Sequence, residues 1–131
     1  MRYMILIYQD ESKMAAVPKD AVTQMSSAYV DYTEAMKKAG VWLSGSALQP
    51  TRSATSVRIA EGKTNVVDGP YAETKEVVGG FLLVEAPDMA AAVALFDDDP
   101  IAAYGRLQIR PLMEDHRHSE TGQGRPEFQP L

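Results

Sequence analysis

The sequence predicts an α+β fold in two layers, one β-sheet with two helices on a single face. Two observations carry this. Apolar residues come in short, strand-length bursts at six places, and only twice does their spacing change to the threes and fours of a helix. The resulting order, β-α-β-(hairpin)-β-α-β, repeats a βαβ-like half twice within about 110 residues.

Residues 3–8, YMILIY, form a continuous apolar run whose length suits a strand buried on both faces or lying centrally in a sheet. QDESKMAAVPKD then breaks the pattern with polar residues and Pro18. From Asp20 the period changes: Val22, Met25, Tyr29, Tyr32, Met36 and Ala39 form one helical stripe. Asp20 is the expected N-cap, Lys37 and Lys38 suit the C-terminal end of the dipole, and Gly40 is the stop.

VWLSGSAL (41–48) reads as a strand with an irregularity at Gly45. TSVRIAEGKTNVV (55–67) reads as a hairpin turning at Glu61-Gly62. GGFLLVEA (79–86) is a further apolar strand, with the Gly79-Gly80 pair suggesting a bulge or a close backbone approach. Pro87 and Asp88 open a second helix in which Met89, Ala92, Val93 and Phe96 share a face, and the acidic run before Pro100 ends it. YGRLQIRPL (104–112) is the last strand, with Leu107 and Ile109 inward and Arg106, Gln108 and Arg110 outward. The domain is therefore expected over 1–115, and 116–131 form a polar tail expected to be flexible.

This order predicts a ferredoxin-like sandwich with an extra hairpin. Two helices cover only one face of the sheet, so the other face, expected to carry Ile, Leu and Val, needs a partner. A second copy supplies it most economically, giving a homodimer with two sheets face to face.

A chain of 131 residues suits one domain. It lacks cysteine, which excludes disulfides, thiolate metal sites and cysteine nucleophiles. A net charge of −5 with a pI of about 5.0 argues against nucleic acid as a partner. No apolar stretch approaches the ~20 residues a membrane helix needs. MRYMILIYQDE does not read as a signal peptide, so a cytoplasmic location is expected. The nucleotide-loop, nucleophile-elbow and zinc-protease motifs are absent.

The stretch VVDGPYAETKEVVGGF (66–81) is the densest in polar chemistry. Asp68-Gly69-Pro70 has the composition of a rigid turn. A connector has no need of Tyr71, Glu73, Lys75 and Glu76, and these four with Asp68 are the candidate ligand-binding residues. A carboxylate beside a lysine can do acid–base work on a small substrate, or can form a surface ion pair worth under ~1 kcal/mol.

DGPYAETKEVVGGF, with MRYMILIYQDE, GVWLSGSALQP and IRPLME, resembles the signature of the DGPF family, a branch of the YCII-related proteins. The resemblance implies a dimeric α+β barrel of ferredoxin-like halves. The wider group is proposed to use a His on the first helix and an Asp before a Pro near the end of the second. The counterparts here are Tyr29 and Asp99, and the change of His to Tyr weakens transfer of a His–Asp mechanism. A phenol, with an ordinary pKa near ~10, is a poor base at neutral pH. On the residues alone, Tyr29 is a core tyrosine on its apolar stripe and Asp99 a helix-exit residue. His116 and His118 lie in the tail without a third ligand at matching spacing, so no metal and no cofactor are expected.

Two functions remain open on the sequence. One is a small-molecule-binding protein or enzyme with its pocket between the sheet and the DGPY loop. The other, which the resemblance brings in, is a non-catalytic dimeric module with a regulatory protein partner of the extracytoplasmic-function sigma class.

Overall fold

The structure is a computed structural model and describes residues 1–97 and 105–113. Four strands form one antiparallel sheet: β1 (Arg2–Gln9), β2 (Trp42–Ala47), β5 (Val77–Glu85) and β6 (Gly105–Pro111), in the order β2-β5-β1-β6. β3 (Thr55–Ala60) and β4 (Lys63–Asp68) form a separate two-stranded ribbon. The helices are α1 (Glu11–Ala15), α2 (Lys19–Lys38) and α3 (Met89–Ala94). The fold is thus mixed α+β on an antiparallel sheet.

Register explains the core. Across the helix-covered face, three rows of paired residues run from β2 to β6: Trp42–Val84–Tyr3–Pro111, Gly45–Leu82–Ile5–Ile109 and Ala47–Gly80–Ile7–Leu107. Tyr3, Ile5, Leu82 and Val84 are all but inaccessible, and Met36 of α2, Ala92 of α3 and Phe96 close over them. β1 is central, as its apolar run predicts, but only one of its faces is fully buried.

The opposite face carries Met4, Leu6, Tyr8, Phe81 and Leu83, half-buried, with exposed Arg106, Gln108 and Arg110 along the β6 edge. The Ile side chains expected there, and Val84, are on the helix side instead, because period-two alternation starting at Tyr3 turns them inward, while Val78 stays on this face opposite Tyr8.

α2 is the helix its stripe predicts, with one correction at its start. Pro18 occupies the N-cap, and Asp20 lies in the first turn, where its charge favours the dipole. At the other end Gly40 has φ +76°, the Gly40 N–H donates to the Lys37 carbonyl and the Val41 N–H to the Met36 carbonyl. These two bonds make a Schellman stop that turns the chain directly into β2.

Three further elements depart from expectation. The polar segment after β1 contains α1, capped by the Asp10 carboxylate, which accepts from the Ser12 N–H at 3.0 Å. The irregularity in β2 sits between Trp42 and Ser44, while Gly45 is regular and lets Leu82 pack where a Cβ would lie 2.6 Å from its methyl. In α3 Ala92 and Phe96 are buried, but Met89 and Val93 are exposed, so the helix rests on a narrower face than the periodicity suggests.

The hairpin turn is where it was expected, with Glu61 and Gly62 both at positive φ as a two-residue turn requires. The ribbon nevertheless stands off the sheet. Val57, Ile59, Val66 and Val67 are exposed, and its base is tied by the Gly69 N–H to the Ala54 carbonyl and the Ser56 hydroxyl to the Gly69 carbonyl. Asp99 and the tail with His116 and His118 lie outside the described residues.

Candidate functional site

Tyr29 lines a cavity of about 310 Å³ between α2 and one end of the sheet. Its walls are Met25, Ser26, Tyr29 and Val30 of α2, Met14 of α1, Ile7 and Gln9 of β1, Ser46, Ala47 and Leu48 at the end of β2, and Gly79-Gly80 of β5. The cavity follows from small residues meeting across strands. The row Ala47–Gly80–Ile7 has a glycine on β5 where the next row, Gly45–Leu82–Ile5, has Leu82, so the sheet floor drops away beneath α2.

The stripe of α2 divides accordingly. Met36 and Tyr32 pack on the core with Tyr29, whereas Met25 lines the cavity and Val22 is exposed beyond it.

The glycine pair supplies both features expected of it. Ile7 pairs with Gly80 and Tyr8 with Val78, which leaves Gly79 as the extra residue of a β-bulge. A Cβ on Gly80 would lie 3.0 Å from the Ser46 carbonyl oxygen, so a side chain there would press on the β2 backbone. The Leu48 N–H donates to the Gly79 carbonyl at 2.8 Å and fixes the cavity's outer rim to the bulge.

The lining is mainly apolar, with Gln9, Ser26 and Tyr29 bringing amide and hydroxyl groups. No charged side chain is among the described lining residues. That arrangement suits a small neutral molecule held by shape and oriented by a few hydrogen bonds. It offers no charged group for general acid–base work.

The residues of the DGPY loop are elsewhere. Asp68 ends β4 and is exposed, Tyr71 is 95% exposed, and Glu73 and Lys75 are exposed. Glu76 accepts from Arg106 Nε and Nη2 at 3.0 and 2.7 Å, tying the end of the loop to β6. Glu76 holds the Arg106 guanidinium proton still more firmly than usual, chiefly through that hydrogen bond. With Arg106 mostly exposed, solvent screens the pair and it adds little to stability.

Lys75 and Glu76 share a shallow depression with Tyr8, Arg106 and Gln108 on the side of the sheet away from the helices. The structure therefore brings together Lys75 and Glu76, but neither lines the cavity that holds Tyr29. The cavity between sheet and α2 is thus separate from the depression where the DGPY loop meets the sheet. Of the sequence candidates among the described residues, Tyr29 alone lines the cavity. The residues that sequence reasoning missed, Ser26, Ser46 and Gln9, carried no signal of their own, though Gly79-Gly80 marked the floor.

Among the described residues no three His, Cys, Asp or Glu side chains gather as a metal site, and no helix is long and apolar enough to cross a membrane.

Comparison with known proteins adds a lineage without a reaction. An uncharacterised protein of Rhizobium meliloti (strain 1021) is 35% identical over 118 residues, covering 86% of this chain and 92% of the relative. Among solved structures, 5-chloro-2-hydroxyhydroquinone dehydrochlorinase (TftG) from Burkholderia phenoliruptrix AC1100, in complex with 2,5-dihydroxybenzoquinone, matches 88% of this chain and 96% of its own. Its identity is 16% and its TM-score 0.49, a level of likeness on which no argument is built. The YCII-related domain model matches residues 1–115, the whole of the α+β unit, and the chain belongs to that family.

Proposed function

We propose that this YCII-related protein binds a small, neutral, largely apolar molecule in the cavity under α2. The observation that carries the reading is the uncharged lining around Tyr29, Ser26 and Gln9 above a floor lowered at Gly80. The Tyr29 hydroxyl is the group best placed by type to orient a ligand oxygen. The DGPF assignment within the family rests on the run Asp68-Gly69-Pro70-Tyr71 and the Gly79-Gly80-Phe81 that follows it. In this reading the loop stabilises the sheet end through Glu76 and Arg106 and is not the ligand site.

A thermal-shift screen of neutral aromatic and aliphatic compounds against charged ones tests the reading. A ligand at 100 times its Kd stabilises by about 2.7 kcal/mol, which moves a domain of this size by several degrees. Ser26→Leu fills the cavity and is expected to abolish the shift, and Tyr29→Phe to weaken binding roughly three- to tenfold by losing one hydrogen bond. Asp68→Ala and Lys75→Ala are expected to leave it unchanged. The reading is wrong if no neutral compound shifts the melting, or if the shift survives Ser26→Leu and vanishes with Lys75→Ala. A second protein co-purifying in stoichiometric amount from the native host would favour the regulatory reading instead.

A further inference from the structure

One wall of the cavity is built differently from the others. α2, β1, β2 and β5 are parts of the framework, whereas Met14 belongs to α1, five residues long and without a buried side chain. A helix this short has little stability of its own, so α1 stays in place only through what ties it down.

That tie is specific. The Glu11 carboxylate accepts from the Thr51 N–H at 3.0 Å and from the Thr51 hydroxyl, joining segments 40 residues apart in sequence. Thr51 begins a short 3-10 turn, Thr51–Ser53, which follows Leu48 on the cavity rim. Leu48 is in turn bonded to Gly79 on the floor. The chain of connection runs from bulge to rim to clasp to α1, and it closes over the cavity beside Met14.

We propose that α1 is a lid over the cavity, held shut by the Glu11–Thr51 clasp, so that ligand entry and exit require the clasp to open. This rests on the cavity being the ligand site. Asp10, at the start of α1, and the Val17-Pro18 step before α2 bound the segment that moves. The framework residues of the cavity need not move with it.

Amide hydrogen exchange and probe kinetics on the full chain test the two halves separately. Glu11→Ala removes the acceptor and Thr51→Val the hydroxyl donor from the opposite side, without touching α1. Glu11→Gln keeps a carbonyl acceptor for the Thr51 N–H and should restore part of the wild-type behaviour.

In Glu11→Ala, exchange at residues 12–17 is expected to rise about tenfold while β1 and β5 are unchanged, with a smaller rise in Thr51→Val. Stopped-flow binding of the neutral fluorophore N-phenyl-1-naphthylamine should show on- and off-rates rising together, with Kd changing less than either. Unchanged exchange at 12–17, or unchanged probe rates in a variant that binds normally, overturns the lid. If the probe binds neither wild type nor Glu11→Ala at any concentration up to its solubility, the cavity reading and the lid fall together. The exchange result would then show whether the clasp alone holds α1.

Discussion

Three glycines carry more of this fold than any charged residue does. Gly45, Gly80 and Gly105 each face a neighbouring strand at a distance that leaves no space for a Cβ. At Gly105 a Cβ would stand 2.0 Å from the Tyr8 carbonyl oxygen, a backbone atom that cannot rotate away. Gly105→Ala is therefore expected to cost about 1–3 kcal/mol by forcing β6 off β1, measured as a lower midpoint in urea unfolding. An unchanged midpoint would mean that the sheet edge yields more easily than its pairing suggests. The candidate site follows the same logic, because its volume exists where Gly80 faces α2 at the β5 position that Leu82 fills in the next row. The sequence displayed the glycine pair but not its partner. Which residue lies opposite Gly80 depends on register between strands some thirty residues apart, and local spacing does not encode that.

Among the described elements, α1 is the one whose cap and clasp both run through carboxylates held below their ordinary range. The Thr51 hydroxyl, then the Thr51 N–H, hold the Glu11 carboxyl below its ordinary value of 4.5, with Arg52 adding a favourable charge and burial opposing. The Asp10 carboxyl at the cap of the same helix is also held down, first by the Ser12 hydroxyl. A carboxyl whose folded-state pKa is depressed contributes above its unfolded pKa, and the contribution is lost as pH falls through the folded value. Protection of amides 12–17, relative to the β1 amides, should stay level from neutral pH to about 5 and fall below about 4.5. The Glu11→Ala variant should show a shallower fall, leaving only the Asp10 component. Equal falls in both proteins would remove Glu11 as the titrating group. α1 was illegible in the sequence because five polar-rich residues give no period, and its cap and clasp use side chains that also read as loop composition.

At the scale of the whole molecule, the unanswered surface is the face of the sheet away from the helices. Its rows read Ser44–Leu83–Met4–Arg110 and Ser46–Phe81–Leu6–Gln108, an apolar centre two strands wide between polar edges. Half-buried Met, Leu and Phe flanked in this way have the pattern of an interface core with a polar rim. The homodimer is accordingly kept as a proposal, with the two sheets facing each other across this stripe. Sedimentation at micromolar concentration is expected to give twice the 14.3 kDa mass of one chain, and Leu83→Glu to return it to the monomer by burying a charge in the centre. A single 14.3 kDa species for the unaltered chain would refute this. The exposed Val57, Ile59 and Val66 of the ribbon lie on one of its faces, and neither the helix nor the sheet of the same chain covers them.

The sequence by itself determined the order of the strands and of α2 and α3, the stripe and Gly40 stop of α2, the Glu61-Gly62 turn, and the inward face of β6. Each is written in contacts between residues a few positions apart, where spacing, propensity and turn chemistry act directly. It also displayed the family signature, in a loop that carries the Glu76–Arg106 ion pair and an exposed Tyr71. Only the tertiary structure decided where the cavity lies, that Tyr29 lines it while Asp68, Tyr71, Glu73, Lys75 and Glu76 do not, and that Glu11 meets Thr51. The physical reason is common to all three. A cavity is a volume left by side chains that fail to meet, and what fails to meet is settled by strand register and by a helix set across the sheet.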